Sequence, residues 1–131
     1  MFGWNDSYAI GVSQIDAQHR QLFEIINELH MAMMSRQSSQ ILGQTLSKLV
    51  EYTVKHFGAE EALLRSKSYS ELAQHKLIHD QFTARIKKFQ ADQKDGVVTV
   101  NIELMNMLQK WLVDHIQGTD KKYARELKLV S

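Results

Sequence analysis

The sequence predicts an all-α protein, an antiparallel up-down four-helix bundle with an N-terminal arm and a short C-terminal helix. Three observations lead there. Apolar residues recur at spacings of three and four over long stretches. Proline is absent from all 131 residues. The one valine-rich run, residues 97–100, has no second strand to pair with.

Leu22, Phe23, Ile25, Ile26, Leu29, Met33 and Met34 define the apolar face of a first helix over residues 15–34, with Ser13 or Asp16 as its cap. The polar stretch 35–40 supplies Ser38 and Ser39 as caps for a second helix that ends near Arg65. Its buried line includes Ile41, Leu42, Leu46, Leu49, Val50, Phe57, Leu63 and Leu64. Ser68 followed by Glu71 has the spacing of a capping box and opens a third helix, marked by Leu72, Leu77, Ile78, Phe82, Ile86 and Phe89. That helix ends near Asp92, with Asp95 and Gly96 as the turn behind it. Residues 97–100 read as a loop into a fourth helix at about 101–117, residues 119–129 add a final turn or two, and residues 1–11 form an extended arm. A single domain over residues 1–131 is expected, without repeats or linkers.

Composition narrows the function. Lys plus Arg number 16 and Asp plus Glu 15, so the net charge of +1 gives no field able to hold nucleic acid. No apolar run approaches the roughly 18 residues of a membrane span, which argues against stable membrane insertion. The N-terminus lacks the basic start and apolar stretch of a secretory signal, and a cytoplasmic monomer is expected. Without cysteine, any metal must be held by His and carboxylates. A chain of this size buries about two-thirds of its unfolded surface, so such a metal would serve function and not rescue folding.

The 6 histidines therefore need placing. His56 with Glu60, and His75 with His79, are i and i+4 pairs, each on one face of its helix. His19 falls in the first turn of the first helix, and His115 near the end of the fourth, five residues before Asp120. In an antiparallel bundle the starts of helices one and three lie at the same end as the ends of helices two and four. Seven ligand-type side chains thus share one layer.

Taken singly, each group has a plainer reading. His56 with Glu60 reads as a solvated helix-face pair, and His19 as a half-exposed residue near a helix cap. His115 and Asp120 would stand roughly 140° apart on an ideal helix, although Gly118 between them allows a local unwinding. The common depth lifts the set above its members. His30 is the control: about 16 Å further along the axis than His19, it cannot share a metal with it and reads as a core or surface histidine.

Five imidazoles and two carboxylates exceed what one ion accepts but suit two ions bridged by Glu60 and Asp120. Two iron ions fit this nitrogen and oxygen donor mix in a bundle. The Glu-x-x-His motif of ferritin-like proteins is absent.

The order His19, His56-x-x-x-Glu60, His75-x-x-x-His79, His115-x-x-x-x-Asp120 resembles the hemerythrin family, in particular its single-domain bacterial members. Trp4, Gly11-Val12, residues 15–19, His56-Phe57 and Glu60-Glu61 add to a likeness that spans about residues 2–123. The resemblance implies an oxo- or hydroxo-bridged di-iron centre. His75, His79 and His115 would hold one iron, His19 and His56 the other, with Glu60 and Asp120 bridging. It implies reversible O2 binding at the open position of the iron held by His19 and His56, for storage, transport or delivery to an O2-consuming enzyme. The resemblance also implies a carrier and not an enzyme. The rival readings are an O2 or redox sensor, which needs an output domain that 131 residues leave no room for, and a di-iron enzyme acting on peroxide or nitric oxide.

An apolar pocket is expected around the centre, drawn from Leu22, Phe23, Phe57, Leu63, Leu64, Trp111, Leu112 and Ile116. Tyr123 would fence that pocket or cover the bundle end. Gly58 would permit close helix approach beside the metals, and Met31, Met33 and Met34 would serve packing.

Overall fold

The computed structural model describes residues 2–129. After a 3-10 turn at Asp6–Tyr8 come α1 (Ser13–Met34), α2 (Ser39–Ser66), α3 (Leu72–Lys94) and α4 (Ile102–Asp114). A π-turn, His115–Asp120, then runs without a break into α5 (Lys121–Glu126). α1 packs on α2, α2 on α3, and α1 on α4. Phe82 stacked on Trp111, 3.7 Å between ring centres, closes the ring between α3 and α4. This is the four-helix bundle that the apolar periodicity predicts.

Two apolar clusters fill it. The larger contains Leu22, Phe23, Leu29, Leu46, Leu49, Ile86, Met105, Leu108 and Ile116, and the smaller contains Ile10, Ile15, Leu64, Tyr69, Tyr123 and Ala124. His19 follows Ile15 and precedes Leu22 by about one turn in each direction, so the histidine layer lies between the clusters.

Several local expectations need correction. α1 has no side-chain cap: it starts after Val12, and the Asp16 carboxylate instead accepts from the Ile10 backbone N–H at 2.8 Å, tying the arm to the helix. Ser68 and Glu71 form no capping box. Ser68 sits at φ 53° and closes α2, with Ser68 N–H donating to Arg65 O and Tyr69 N–H to Leu64 O at 3.1 and 3.0 Å. The connection to α3 is so short that the residue needed to end one helix cannot also begin the next. Arg36 (φ 55°) and Gly96 (φ 77°) close α1 and α3 in the same way. Ser38 and Asn101 do cap α2 and α4, accepting from Ile41 N–H and Leu104 N–H.

The fourth helix does not stop near residue 117, because the π-turn carries it into α5. α3 likewise runs on to Lys94. Ile41 and Leu77 are 41% and 49% exposed instead of buried. Ile41 lies in the first turn of α2, at the bundle's end, and Leu77 is about 200° round α3 from both His75 and His79. A Cβ placed on Gly58 would meet nothing within 4 Å, so this glycine allows no close helix approach. Met33 packs against the core, but Met31 and Met34 are 63% and 68% exposed and serve no packing.

The arm is folded onto α1. Phe2 and Tyr8 both stack on Phe23, Trp4 packs edge-on against Tyr8 and Phe23, and Lys121 Nζ donates to Ala9 O at 2.6 Å.

Candidate metal centre

His19 comes from α1, His56 and Glu60 from α2, His75 and His79 from α3, and His115 and Asp120 from the two ends of the π-turn. All seven side chains meet in one layer, and none is more than 4% exposed. The donors fall into two sets whose ligand atoms lie within 4.8 Å of one another: Glu60, His75, His79, His115 and Asp120, and His19, His56 and Glu60. Glu60 belongs to both.

The π-turn resolves the awkward spacing of His115 and Asp120. Its backbone bonds run from i to i+5, so residues five apart are brought to one side of the helix, and His115 Nε2 lies 3.1 Å from Asp120 Oδ1. Gly118, the residue that suggested an unwinding, lies within that turn.

The imidazole Nε2 atoms converge on the two carboxylates. His75 and His79 are 2.7 and 3.0 Å from Glu60 Oε1, and His19 and His56 are both 3.7 Å from Glu60 Oε2. His19 is also 3.1 Å from Asp120 Oδ2, and His75 3.3 Å from Asp120 Oδ1. Between His79 and His115 the two Nε2 atoms stand 3.2 Å apart. Two imidazoles facing each other through Nε2 can share one proton between them, and one cation can take both lone pairs in its place.

The residues fit a metal on a further ground. His19 Nδ1 and Nε2, His75 Nδ1, His115 Nδ1 and both carboxylate oxygens of Asp120 are buried without a hydrogen-bond partner. Two fully buried carboxylates side by side, the oxygens of Asp120 without a hydrogen-bond partner, are costly unless cations compensate them.

The metal-free chain compensates with protons. Burial pulls the His19, His75 and His115 imidazoles down, but Asp120 and Glu60 overcome it and raise each to about 9. His56 is lowered to about 4, because burial outweighs the attraction of Glu60. Burial pushes the Glu60 and Asp120 carboxyls up, yet the histidines around them hold both well below the usual carboxylate range.

Three residues outside the ligand set orient it. His56 Nδ1–H donates to Gln18 Oε1 at 2.7 Å, and His79 Nδ1–H to Glu61 Oε2 at 2.8 Å. Each bond selects the tautomer whose Nε2 lone pair points into the centre. Tyr123, fully buried, donates to Glu60 Oε2 at 3.0 Å. It thus covers the bundle end and touches the centre directly. Sequence reading gave Gln18 and Glu61 no role, and only their adjacency to His19 and Glu60 could have suggested one.

Aromatic rings back two ligands: Phe57 lies parallel to His79 at 3.8 Å, and Trp111 to His115 at 4.4 Å. Phe57 and Trp111 also line a cavity of about 10 Å³, with Leu22, Ile26, Leu49, Thr53, Phe82, Leu108 and Leu112. That is room for about one water-sized molecule. Of the expected pocket residues, Leu22, Phe57, Trp111 and Leu112 line this cavity, Phe23 and Ile116 belong to the larger cluster, and Leu63 and Leu64 pack in the smaller. A groove of about 770 Å³ between the start of α2 and the end of α3 shares no residue with the centre.

The family model described as Hemerythrin HHE cation binding domain matches residues 10–127. The chain belongs to the hemerythrin family. It is 37% identical over 125 residues to a bacteriohemerythrin of Stenotrophomonas maltophilia (strain R551-3), covering 95% of this chain and 80% of that protein. A myohemerythrin of Theromyzon tessulatum is 34% identical over 126 residues, 96% of this chain and 93% of the other. A crystal structure of wild-type hemerythrin superposes with a TM-score of 0.90 at 30% identity, covering 97% of this chain and 98% of that one. The hemerythrin family binds a di-iron centre, and the layer offers two His and carboxylate donor sets able to hold metal.

Proposed function

We propose that this chain binds O2 reversibly, as a store or carrier, at two iron ions held by His19, His56, Glu60, His75, His79, His115 and Asp120. One observation carries the reading: two buried donor sets share Glu60 and are rich in imidazole but contain only two carboxylates. In this assignment His75, His79 and His115 would hold one ion and His19 and His56 the other, with Glu60 and Asp120 shared between them. The side with two histidines offers one protein donor fewer. Two ferrous ions, when bound, would supply the pair of electrons that O2 takes up and gives back.

The chain's own residues favour release over turnover. Neutral imidazoles in place of further carboxylates keep the cluster cationic, which disfavours highly oxidised iron. The cavity beside the centre is apolar apart from Thr53 and contains no acid that could deliver a proton to a bound ligand. Gln18 and Glu61 hold their histidines, and Tyr123 holds Glu60, so the layer keeps its shape with or without ligand.

We read the chain as a single-domain, monomeric carrier of the cytoplasm that hands O2 to an O2-consuming acceptor enzyme, and not as an enzyme itself. No helix among the described residues is long and apolar enough to cross a membrane. To test the carrier reading, anaerobic protein is loaded with two ferrous ions, exposed to O2 and then deoxygenated while its optical spectrum is followed. A spectrum that appears and reverses over repeated cycles is expected. Irreversible bleaching with release of peroxide would replace the carrier by an enzyme.

A further inference from the structure

At the end of the bundle remote from the histidine layer, His30, Met31 and Met34 line one groove of about 380 Å³ together with Phe2, Asn27 and Gln109. Met31 and Met34 are 63% and 68% exposed, so both thioethers are open to solvent and to a ligand. His30 and Met34 are i and i+4, and Met31 and Met34 are i and i+3, so Met34 stands between the other two with its Cβ about 5–6 Å from each, and all three side chains line the one groove. Methionine has three rotatable bonds, enough for both sulfurs to swing onto a point beside the imidazole.

Donor chemistry then decides the ligand. Two thioethers and one imidazole, with no carboxylate among the described residues that line the groove, suit a soft monovalent cation and not the hard or borderline ions that carboxylates attract. We propose that His30, Met31 and Met34 form a surface site for Cu(I), separate from the di-iron centre.

The surroundings agree with that geometry. Gln109 Nε2 lies 3.5 Å from His30 Nδ1. Turning the Gln109 amide presents its oxygen instead, His30 Nδ1–H donates to it, and the Nε2 lone pair is free for the metal with no net change in protons. The wall of the groove is anchored, since Asn27 Nδ2 donates to Phe2 O at 2.7 Å and Phe2 stacks on Phe23 at 4.6 Å.

The test uses diferric protein, which holds no ferrous iron for silver to oxidise, labelled with [methyl-13C]methionine and titrated with Ag(I), the d10 analogue of Cu(I); the Cu(I) competition is run on the anaerobic diferrous form. At one equivalent the methyl signals of Met31 and Met34 should move while that of buried Met105 stays, and the Met31→Leu/Met34→Leu variant should lose the response. Competition with bicinchoninate should then show Cu(I) held at least about ten-fold more weakly by that variant and by His30→Gln than by the parent. Both substitutions keep side-chain volume at positions outside the core, and unchanged iron content verifies the fold. Unmoved Met31 and Met34 signals when silver binds, or equal Cu(I) affinity in parent and variants, would overturn the proposal.

Discussion

The hydroxyl of Tyr123 donates a 3.0 Å hydrogen bond to Glu60 Oε2, and both side chains are fully buried. Burial, reinforced by Glu60 and Asp120, pushes the Tyr123 phenol far above its ordinary range, so it stays protonated and always acts as donor. Glu60 belongs to both donor sets, and this bond steadies the one side chain the two ions would share. Tyr123→Phe keeps the ring and removes the donor. Iron release to a chelator should become about ten-fold faster with little change in helix content. Equal release rates would show that the hydroxyl only satisfies itself.

The two ions should also respond separately. Gln18 orients His56, a member of the smaller donor set, whereas Glu61 orients His79 in the larger. Gln18→Leu, and more strongly His56→Ala, should weaken the iron on the His19 side, reduce O2 uptake and leave the other iron in place. Stepwise metal titration checks this. Equal retention of both irons with normal uptake would refute the division of the ligands.

Loading the metal-free chain should release protons. At pH 7 His19, His75 and His115, each raised to about 9, carry protons that cations must displace, while His56, lowered to about 4, carries none. About three protons per molecule should appear in an indicator dye on addition of two Fe(II), and affinity should rise from pH 7 to 9. Metal-free stability should follow the same groups. The three raised histidines stabilise the fold fully below ~6.5 and lose that contribution as pH climbs through about 9. His56 costs stability as pH falls from ~6.5 through about 4, which places the maximum of a urea-denaturation series near pH ~6.5.

Two backbone positions leave stability unused. Gly58 lies inside α2 with open space where a Cβ would sit, so Gly58→Ala should stabilise by about 1 kcal/mol. Arg36 holds the left-handed conformation that ends α1, φ 55°, and Arg36→Gly should relieve roughly 1 kcal/mol. Urea midpoints at constant slope measure both. A lower midpoint for Gly58→Ala would mean that the glycine serves the centre in some other way.

Helical periodicity made most of the centre readable from sequence. Residues four apart must share a face, so His56 with Glu60 and His75 with His79 could be placed at once, and antiparallel order put His19 and His115 at their depth. Asp120 was readable only as an irregularity beside Gly118, because a π-turn has no sequence period of its own. Gln18 and His56 are 38 residues apart, and no local pattern reports a hydrogen bond that only packing of α1 on α2 creates. Ser68 was misread since one serine can either cap the helix ahead or end the helix behind, and the connection's length selects between them. The exposure of Leu77 has the same origin: the histidines of α3 determine which face turns inward.

The histidine layer sits between the two apolar clusters, and the larger cluster is complete without it. The smaller one draws Ile10 from the arm, Leu64 from the end of α2, and Tyr123 and Ala124 from α5, segments joined across the very layer where two buried carboxylates would repel each other in the absence of cations or protons. Metal ions, or the protons on His19, His75 and His115 in their place, would therefore act as a clasp at one end of the bundle. Stripped of its ions and taken above pH about 9, where those histidines lose their protons, the chain should fray from the arm and α5 inward while the remote half stays closed, a gradient that amide hydrogen exchange would trace along the long axis.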